Sequence, residues 1–533
     1  MNANGAVRVR RSLADLQDEY VAGNKKPLAD LMRAWKGIQE LRPTDPKSFF
    51  ALAGLHGEPF RGAGWGNDSY WGGYCNHGNV LFPTWHRVYL LKLEEALQSI
   101  PGCEDVMLPY WDETSADSLK NGIPWALTQK TFELDGKIIH NPLRTFVFTR
   151  EIKDFVEGDN PNYSKPQGYE TVRYPLSGLV GSPDDQAATM KHNEQFPSDD
   201  DNVRLLNQNV VAWLGASIEV NGKVIQTGVS TKYVNCLNAP NYTVFSNTTS
   251  AAQWNADRPS DAPIVVPLES PHNDIHLAVG GFDAAGRDNS PIAGANGDMG
   301  ENNTASFDPI FYFHHCFVDR VFWLWQKKNG YVDGLDIIPE YPGTNSVDSQ
   351  GPTPGVAPNS WLTLDSPLNP FKNGRGRTYT SRDCLNIEAQ LGYTYGPGSL
   401  DQGTDHDVTA EALMSAPERS RKTIQVSGLN RARIRGSFLI STFVTIAGVR
   451  YHVGTESVLS RWNVQGCANC QTHLETKAFV GLHPFAEESL ADASYEVEVR
   501  TRDGVLTRDG VLTRRDGSPT VKAQRKAFQL EVR

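Results

Sequence analysis

Gly73-Tyr-Cys75-Asn-His77-Gly-Asn-Val-Leu-Phe82-Pro-Thr-Trp-His86-Arg87 and, further on, Phe307-Asp308-Pro309-Ile-Phe311-Tyr-Phe-His314-His315-Cys-Phe-Val-Asp319-Arg320 carry histidines on strongly apolar runs. From His86, the residues Leu90, Leu93 and Leu97 follow at spacings of four, three and four. This predicts a helix over residues 84–100 with His86 on its inward face. In the second run Asp308 suits an N-cap and Pro309 the first turn of another helix. That helix is apolar nearly all round. Phe311, His315, Val318, Phe322 and Trp325 form one stripe; Ile310, His314, Phe317, Val321 and Leu324 form another. A helix without a polar face is buried on all sides, so periodicity does not choose between His314 and His315 as a ligand.

Working outward, His56 lies upstream of the first run, and Glu269-Ser-Pro-His272-Asn273-Asp-Ile-His276-Leu277 lies between the two. A spacing of four puts His272 and His276 on one helical face, one turn apart. A single histidine on an apolar face is usually a satisfied core residue. Here six of thirteen histidines fall into two groups of three. Three neutral imidazoles per metal, with no obvious carboxylate or thiolate to complete either set, suit copper. Two such sites side by side suggest chemistry on dioxygen. Inward-facing helices around a two-metal site imply a mainly α domain with a four-helix-bundle core.

At 533 residues the chain exceeds what one core usually serves, so two domains are expected. Residues 1–395 read as the helical domain, 396–410 as a linker and 411–533 as a β-rich, sandwich-like domain built of short strands. Residues 340–372, rich in Pro, Gly, Ser and Asn, read as a long surface excursion. Thr-Arg-Asp-Gly-Val-Leu occurs at 501–506 and again at 507–512, which predicts a duplicated hairpin. A net charge of −11 argues against nucleic acid or an anionic membrane as the main partner. No apolar run is long enough to span a bilayer. The N-terminal residues lack the apolar core of a secretory signal. A cytoplasmic protein is therefore expected, with export by another carrier left open. Seven cysteines in so long a chain do not make a disulfide scaffold. Cys103, Cys236, Cys316 and Cys384 are expected as buried thiols.

Residues 75–89 closely resemble the first copper motif of tyrosinases, and residues 308–320 resemble the second. With His56 and the 269–276 segment, the resemblance covers roughly residues 50 to 330. The family is the tyrosinase, catechol oxidase and haemocyanin group of coupled binuclear copper proteins, and the details are similar to fungal-type and related bacterial latent tyrosinases. The resemblance implies two copper ions, one on His56, His77 and His86 and one on His272, His276 and His315, with His314 beside the set. It also implies a thioether joining Cys75 to the His77 ring, and phenylalanines Phe82 and Phe311 packed on the ligands. On sequence alone both phenylalanines are simply core. Asp319, four residues after His315, is expected to accept a ring N–H. Glu269 and Asn273 match a glutamate and asparagine proposed to hold a water that deprotonates a phenol, whose pKa is about 10. Read without the resemblance, Glu269 is a helix N-terminal acid and Asn273 a capping residue. Leu277 would present an apolar wall to the substrate ring. Asn302 stands where the family often has an apolar gate, a departure that favours polar substrates such as aminophenols.

The activity implied is ortho-hydroxylation of monophenols and oxidation of o-diphenols to o-quinones with O2, the chemistry of melanin formation. The resemblance further implies latency, as in a zymogen, with the C-terminal domain plugging the site. Val458, Leu459 and Trp462 are the candidate plugs. Cys467-Ala-Asn-Cys470 fits either copper loading from a donor, since soft thiolates suit Cu(I), or a simple disulfide. Tyr393-Thr-Tyr395 resembles the family's closing tyrosine motif, with Arg10 or Arg11 stacked on it. The rival readings are a catechol or o-aminophenol oxidase without monophenol activity, a haemocyanin-like O2 carrier, and a zinc or metal-free binding protein.

Overall fold

The computed structural model describes residues 7–57, 73–152, 165–178, 183–259, 262–290, 294, 296–348, 355–401, 420–434, 436–460, 475–513, 519–522 and 527–533. Four helices build the centre of the larger domain: α1 (Lys26–Glu40), α2 (Phe82–Leu97), α3 (Glu269–Gly280) and α4 (Ile310–Asn329). The buried residues Leu28, Leu31, Trp35 and Ile38 recur on α1 at spacings of three and four, so one face of that helix points inward. Helix α2 starts with Pro83 in its first turn, where a missing N–H costs nothing. It begins two residues earlier than the apolar spacing alone suggests. Helix α4 starts one residue beyond Pro309. The Asp308 carboxylate still accepts the Ile310 N–H at 3.2 Å, and it also pairs with Arg173. Gly330, at φ +76°, ends α4 in the left-handed conformation that glycine adopts without strain.

Large side chains lock the helices together. Trp35 of α1 stacks on Phe313 of α4 with ring centroids 5.2 Å apart. The Tyr89 and Tyr312 hydroxyls, on α2 and α4, are 2.8 Å apart. Truncating a fully buried aromatic such as Trp35 typically costs about 3–5 kcal/mol. Two short strands close the domain: β1 (Arg8–Arg10) pairs in parallel with β2 (Tyr393–Tyr395), Arg10 opposite Tyr395. The Arg10 guanidinium lies 3.7 Å from the centre of the Tyr393 ring. Arg11 instead pairs with Glu19, so the arginine that stacks on the tyrosine motif is Arg10.

Residues 340–372 are not wholly a surface excursion: Gly343 to Asp348 are buried. The Asp348 carboxylate accepts the N–H groups of Gly343 and Asn345, which satisfies the turn internally. The Gly343 carbonyl in turn accepts the Val80 N–H, just before α2. The polar composition therefore serves a folded turn under the His77 loop.

The described residues of the C-terminal region are mainly β. Its strands are β3 (Thr423–Asn430), β4 (Phe438–Ile446), β5 (Val449–Val458), β6 (Glu475–Gly481), β7 (Ser494–Thr501), β8 (Gly504–Leu506), β9 (Val511–Thr513), β10 (Pro519–Lys522) and β11 (Gln529–Val532). They form an antiparallel sheet in the order β5-β4-β7-β8-β9-β10 and another in the order β6-β3-β11. Ile424 and Val426 from one sheet and Phe438, Ile440, Val453 and Val499 from the other share one core. This is the sandwich-like arrangement expected. The repeated Thr-Arg-Asp-Gly-Val-Leu units form successive hairpins, with β8 paired to β9. Among the described residues no helix is long and apolar enough to cross a membrane.

Candidate metal centre

Helices α3 and α4 assemble the second histidine group. His272 and His276 project from one face of α3, as their spacing requires, and His315 meets them from α4. The Nε2 atoms of His272 and His276 lie 3.2 and 3.3 Å from His315 Nε2. The Asn273 Oδ1 accepts from His272 Nδ1 at 3.0 Å, and the Met299 carbonyl accepts from His276 Nδ1 at 2.8 Å. Both rings therefore carry their proton on Nδ1 and turn an Nε2 lone pair towards His315. Burial holds all three imidazoles well below their ordinary pKa, so they are neutral. Nitrogens bound to one metal at about 2.0 Å lie about 3.3 Å apart in tetrahedral geometry, so the spacing fits a metal ion.

The first group comprises His56, His77 and His86, whose donor atoms all lie within 4.8 Å of one another. His56 follows the short helix Phe49–Ala53, His77 lies on the loop before α2, and His86 is on α2. His86 donates from Nδ1 to the Phe82 carbonyl at 2.8 Å, leaving Nε2 for the group. Burial pushes the His86 pKa down to about 3. The two groups abut, since the His86 and His315 rings stack with centroids 4.5 Å apart. Among the described residues no carboxylate or thiolate belongs to either group. An all-imidazole donor set of this kind fits copper.

The neighbours sort the remaining expectations. Phe311 stacks on His315 at 4.0 Å and meets His56 edge-on at 4.8 Å. Phe82 packs on His86 at 4.9 Å and on His272 at 4.8 Å. Cys75 is a buried thiol, as are Cys103, Cys236, Cys316 and Cys384. Asn302 is fully buried and directs its amide at the Cys75 Sγ, 3.7 Å away. Leu277 is fully buried in the main core. Asp319 does not hold a histidine ring. Its Oδ1 accepts from Arg87 Nε at 2.6 Å, and its Oδ2 accepts the Tyr393 and Tyr395 hydroxyls at 2.8 and 2.6 Å. With Arg10 Nη1 at 3.6 Å, both oxygens are committed to tying α2, α4 and the β1–β2 pair together. A buried carboxylate finds its strongest partners in arginines and hydroxyls.

Glu269 opens α3 beside this centre. Its Oε1 accepts the Gly78 N–H at 2.8 Å, and its Oε2 accepts the Thr248 N–H and hydroxyl at 2.8 and 2.9 Å. Burial raises its pKa, and these donors, with Arg431 from the β domain, pull it back. Three of the roughly four acceptor positions of a carboxylate are thus filled, and one remains.

Two features carry no local sequence signal. His314 donates or accepts at Nδ1 with Glu113 Oε1, 2.6 Å away, and the Tyr233 hydroxyl donates to Glu113 Oε2 at 2.7 Å. Lys232, on the helix Val229–Cys236, reaches Asp274 of α3 at 2.7 Å and Glu456 of β5 at 3.3 Å.

The β domain lies directly on the centre. The Ser457 carbonyl accepts from Asn273 Nδ2 at 3.4 Å, and the Ser460 carbonyl accepts the Asn302 N–H at 3.4 Å. Of the candidate plugs, Val458 is buried in the β domain's own core, whereas Leu459 is buried in the core of the helical domain. Trp462, Cys467 and Cys470 lie outside the described residues.

Comparison with known proteins agrees with this geometry. The family described as the common central domain of tyrosinase matches residues 46–328, more than half of the chain. A tyrosinase of Hahella sp. (strain CCB-MM4), HcTyr2, is 54% identical over 527 residues, covering 94% of this chain and 93% of the relative. A tyrosinase of Aspergillus oryzae (strain ATCC 42149 / RIB 40) is 48% identical over 501 residues, covering 90% of this chain and 89% of the relative. The solved structure of a Burkholderia thailandensis tyrosinase at low pH is 55% identical and covers 93% of this chain and 95% of that one, with a TM-score of 0.84. This chain therefore belongs to the tyrosinase family of binuclear copper enzymes.

Proposed function

We propose that this protein hydroxylates monophenols ortho to their oxygen and oxidises o-diphenols to o-quinones with O2, and that its β domain keeps it latent. The observation that carries this reading is the pair of abutting, buried triads with Glu269 and Asn273 at the edge of the second. Copper held by His56, His77 and His86 and by His272, His276 and His315 would supply the redox chemistry on O2.

The remaining work falls to the chain. Asn273 holds His272 in the tautomer that offers Nε2. Glu269 has one acceptor position left, and burial raises its basicity; that position takes the proton of an incoming phenol, directly or through a water. Phe82 and Phe311 lock the ligand rings and keep the site dry. In the latent state Leu459 fills the approach, while the Ser457 carbonyl occupies an Asn273 N–H that a water or substrate would otherwise use. The Cys75–His77 thioether and copper delivery through Cys467 and Cys470 belong to the same reading and rest on sequence. Asn302 spends its amide on Cys75, and nothing in the geometry favours aminophenols over phenols.

The test is Glu269→Gln and Asn273→Ala in the copper-loaded, trimmed protein. Loss of a positioned base costs about 100-fold or more, so monophenol hydroxylation falls by at least that factor while catechol oxidation persists. Monophenol hydroxylation that survives both substitutions overturns the base assignment.

A further inference from the structure

His314 is left over from the ligand sets, yet it is built as a ligand is built. It is one of four histidines on α3 and α4, each with a donor nitrogen within 4.8 Å of the others. Its ring centroid lies 5.2 Å from that of His272 and 5.1 Å from those of His276 and His315. Its Nδ1 is taken by the Glu113 carboxyl, so Nε2 is the atom that remains. That Nε2 is buried and meets no hydrogen-bond partner in good geometry among the described residues, the ring's backbone contact being with His272. A histidine with one nitrogen on a carboxylate and the other bare is the usual arrangement of a metal-bound imidazole. Leaving such a nitrogen buried without a partner is costly otherwise.

Glu113 points the same way. It is fully buried, burial pushes its carboxyl well above the usual range, and its two oxygens are held by the His314 ring and the Tyr233 hydroxyl. Meanwhile the Nε2 atoms of His272, His276 and His315 already lie at coordination spacing, so His314 stands beside the three and not among them.

We infer that His314 is a holding ligand, a fourth imidazole that takes copper(I) at Nε2 on its way into the His272–His276–His315 set and passes it to His315. Copper keeps its oxidation state throughout: one nitrogen–copper bond forms as another breaks. Glu113 fixes the ring during the hand-over. The inference rests on the assignment of His272, His276 and His315 as the resident ligands.

The experiment follows copper(I) uptake by the full-length apoprotein in a His86→Asn background, in which only the second triad is intact. Native mass spectra taken at intervals give the rate, and elemental analysis gives the final stoichiometry. His314→Asn is expected to slow uptake about tenfold or more, the range seen when outer partners of metal-binding histidines are lost, and still to reach one copper. Glu113→Gln, which keeps the imidazole, slows it in the same direction. Unchanged uptake rates in both variants overturn the holding role and leave the resident set standing. If His314→Asn instead never binds copper while His315→Asn does, the resident set itself is misassigned.

Discussion

Replacing Glu456 by Gln should unlatch the β domain. Glu456 Oε2 lies 3.3 Å from Lys232 Nζ and accepts the Ser270 hydroxyl at 2.9 Å. Lys232 also donates to the Thr455 carbonyl at 2.7 Å and pairs with Asp274, between the two α3 histidines. One lysine thus ties the end of β5 to the helix that carries half of the second triad. A hydrogen bond to a charged group contributes about 1.5–3 kcal/mol. The two side chains are 17% and 20% exposed, so screening places the value near the low end, about 1.5 kcal/mol. Glutamine keeps the shape and loses the charge. At about 1.4 kcal/mol per factor of ten, the open fraction should rise about tenfold. Catechol oxidation by the full-length variant should rise by the same factor, while trimmed wild-type and trimmed variant turn over equally. If the full-length variant is no faster than wild type, yet trimming still activates both, the Lys232 clamp does not hold the domain shut.

Two further outcomes follow from buried charge. Arg10→Ala should cost about 3–5 kcal/mol, because it strands Glu94, which now accepts from Arg10 Nε at 2.9 Å, and removes the stack on Tyr393; a urea denaturation midpoint checks this. Burial raises the Glu301 carboxyl from its ordinary 4.5 to about 8, against the pull of Arg502 and Lys165. A raised acid contributes stability below 4.5 that is lost as pH climbs through 8. Thermal unfolding should therefore show Glu301→Gln gaining on wild type as pH rises across that window, and a constant difference would refute it.

The helices that carry the site were legible because apolar spacing marks a buried face: His86 with Leu90, Leu93 and Leu97 gave α2 to within a few residues. The choice between His314 and His315 was not legible, because α4 is buried all round. What separates the two comes from elsewhere in the chain: α3 converges on His315, and Glu113, some 200 residues away in sequence, pairs with His314. Asp319 was misplaced for a related reason. Its spacing from His315 suggested a local contact, but two arginines and two tyrosine hydroxyls brought by the fold outcompete a ring N–H. Packing separates the two described plug candidates: Val458, the last residue of β5, sits in the β domain's own core, and Leu459 just beyond it joins the helical core.

Oxygen uptake with tyrosine or tyramine, on copper-loaded protein before and after limited proteolysis near residues 396–410, tests the central claim most directly. A sharp rise after cleavage, with coloured quinone products, is the predicted result. A trimmed protein holding two coppers that consumes oxygen with catechol but not with the monophenol would contradict the monophenol reading, and one silent with both would contradict the enzyme reading altogether.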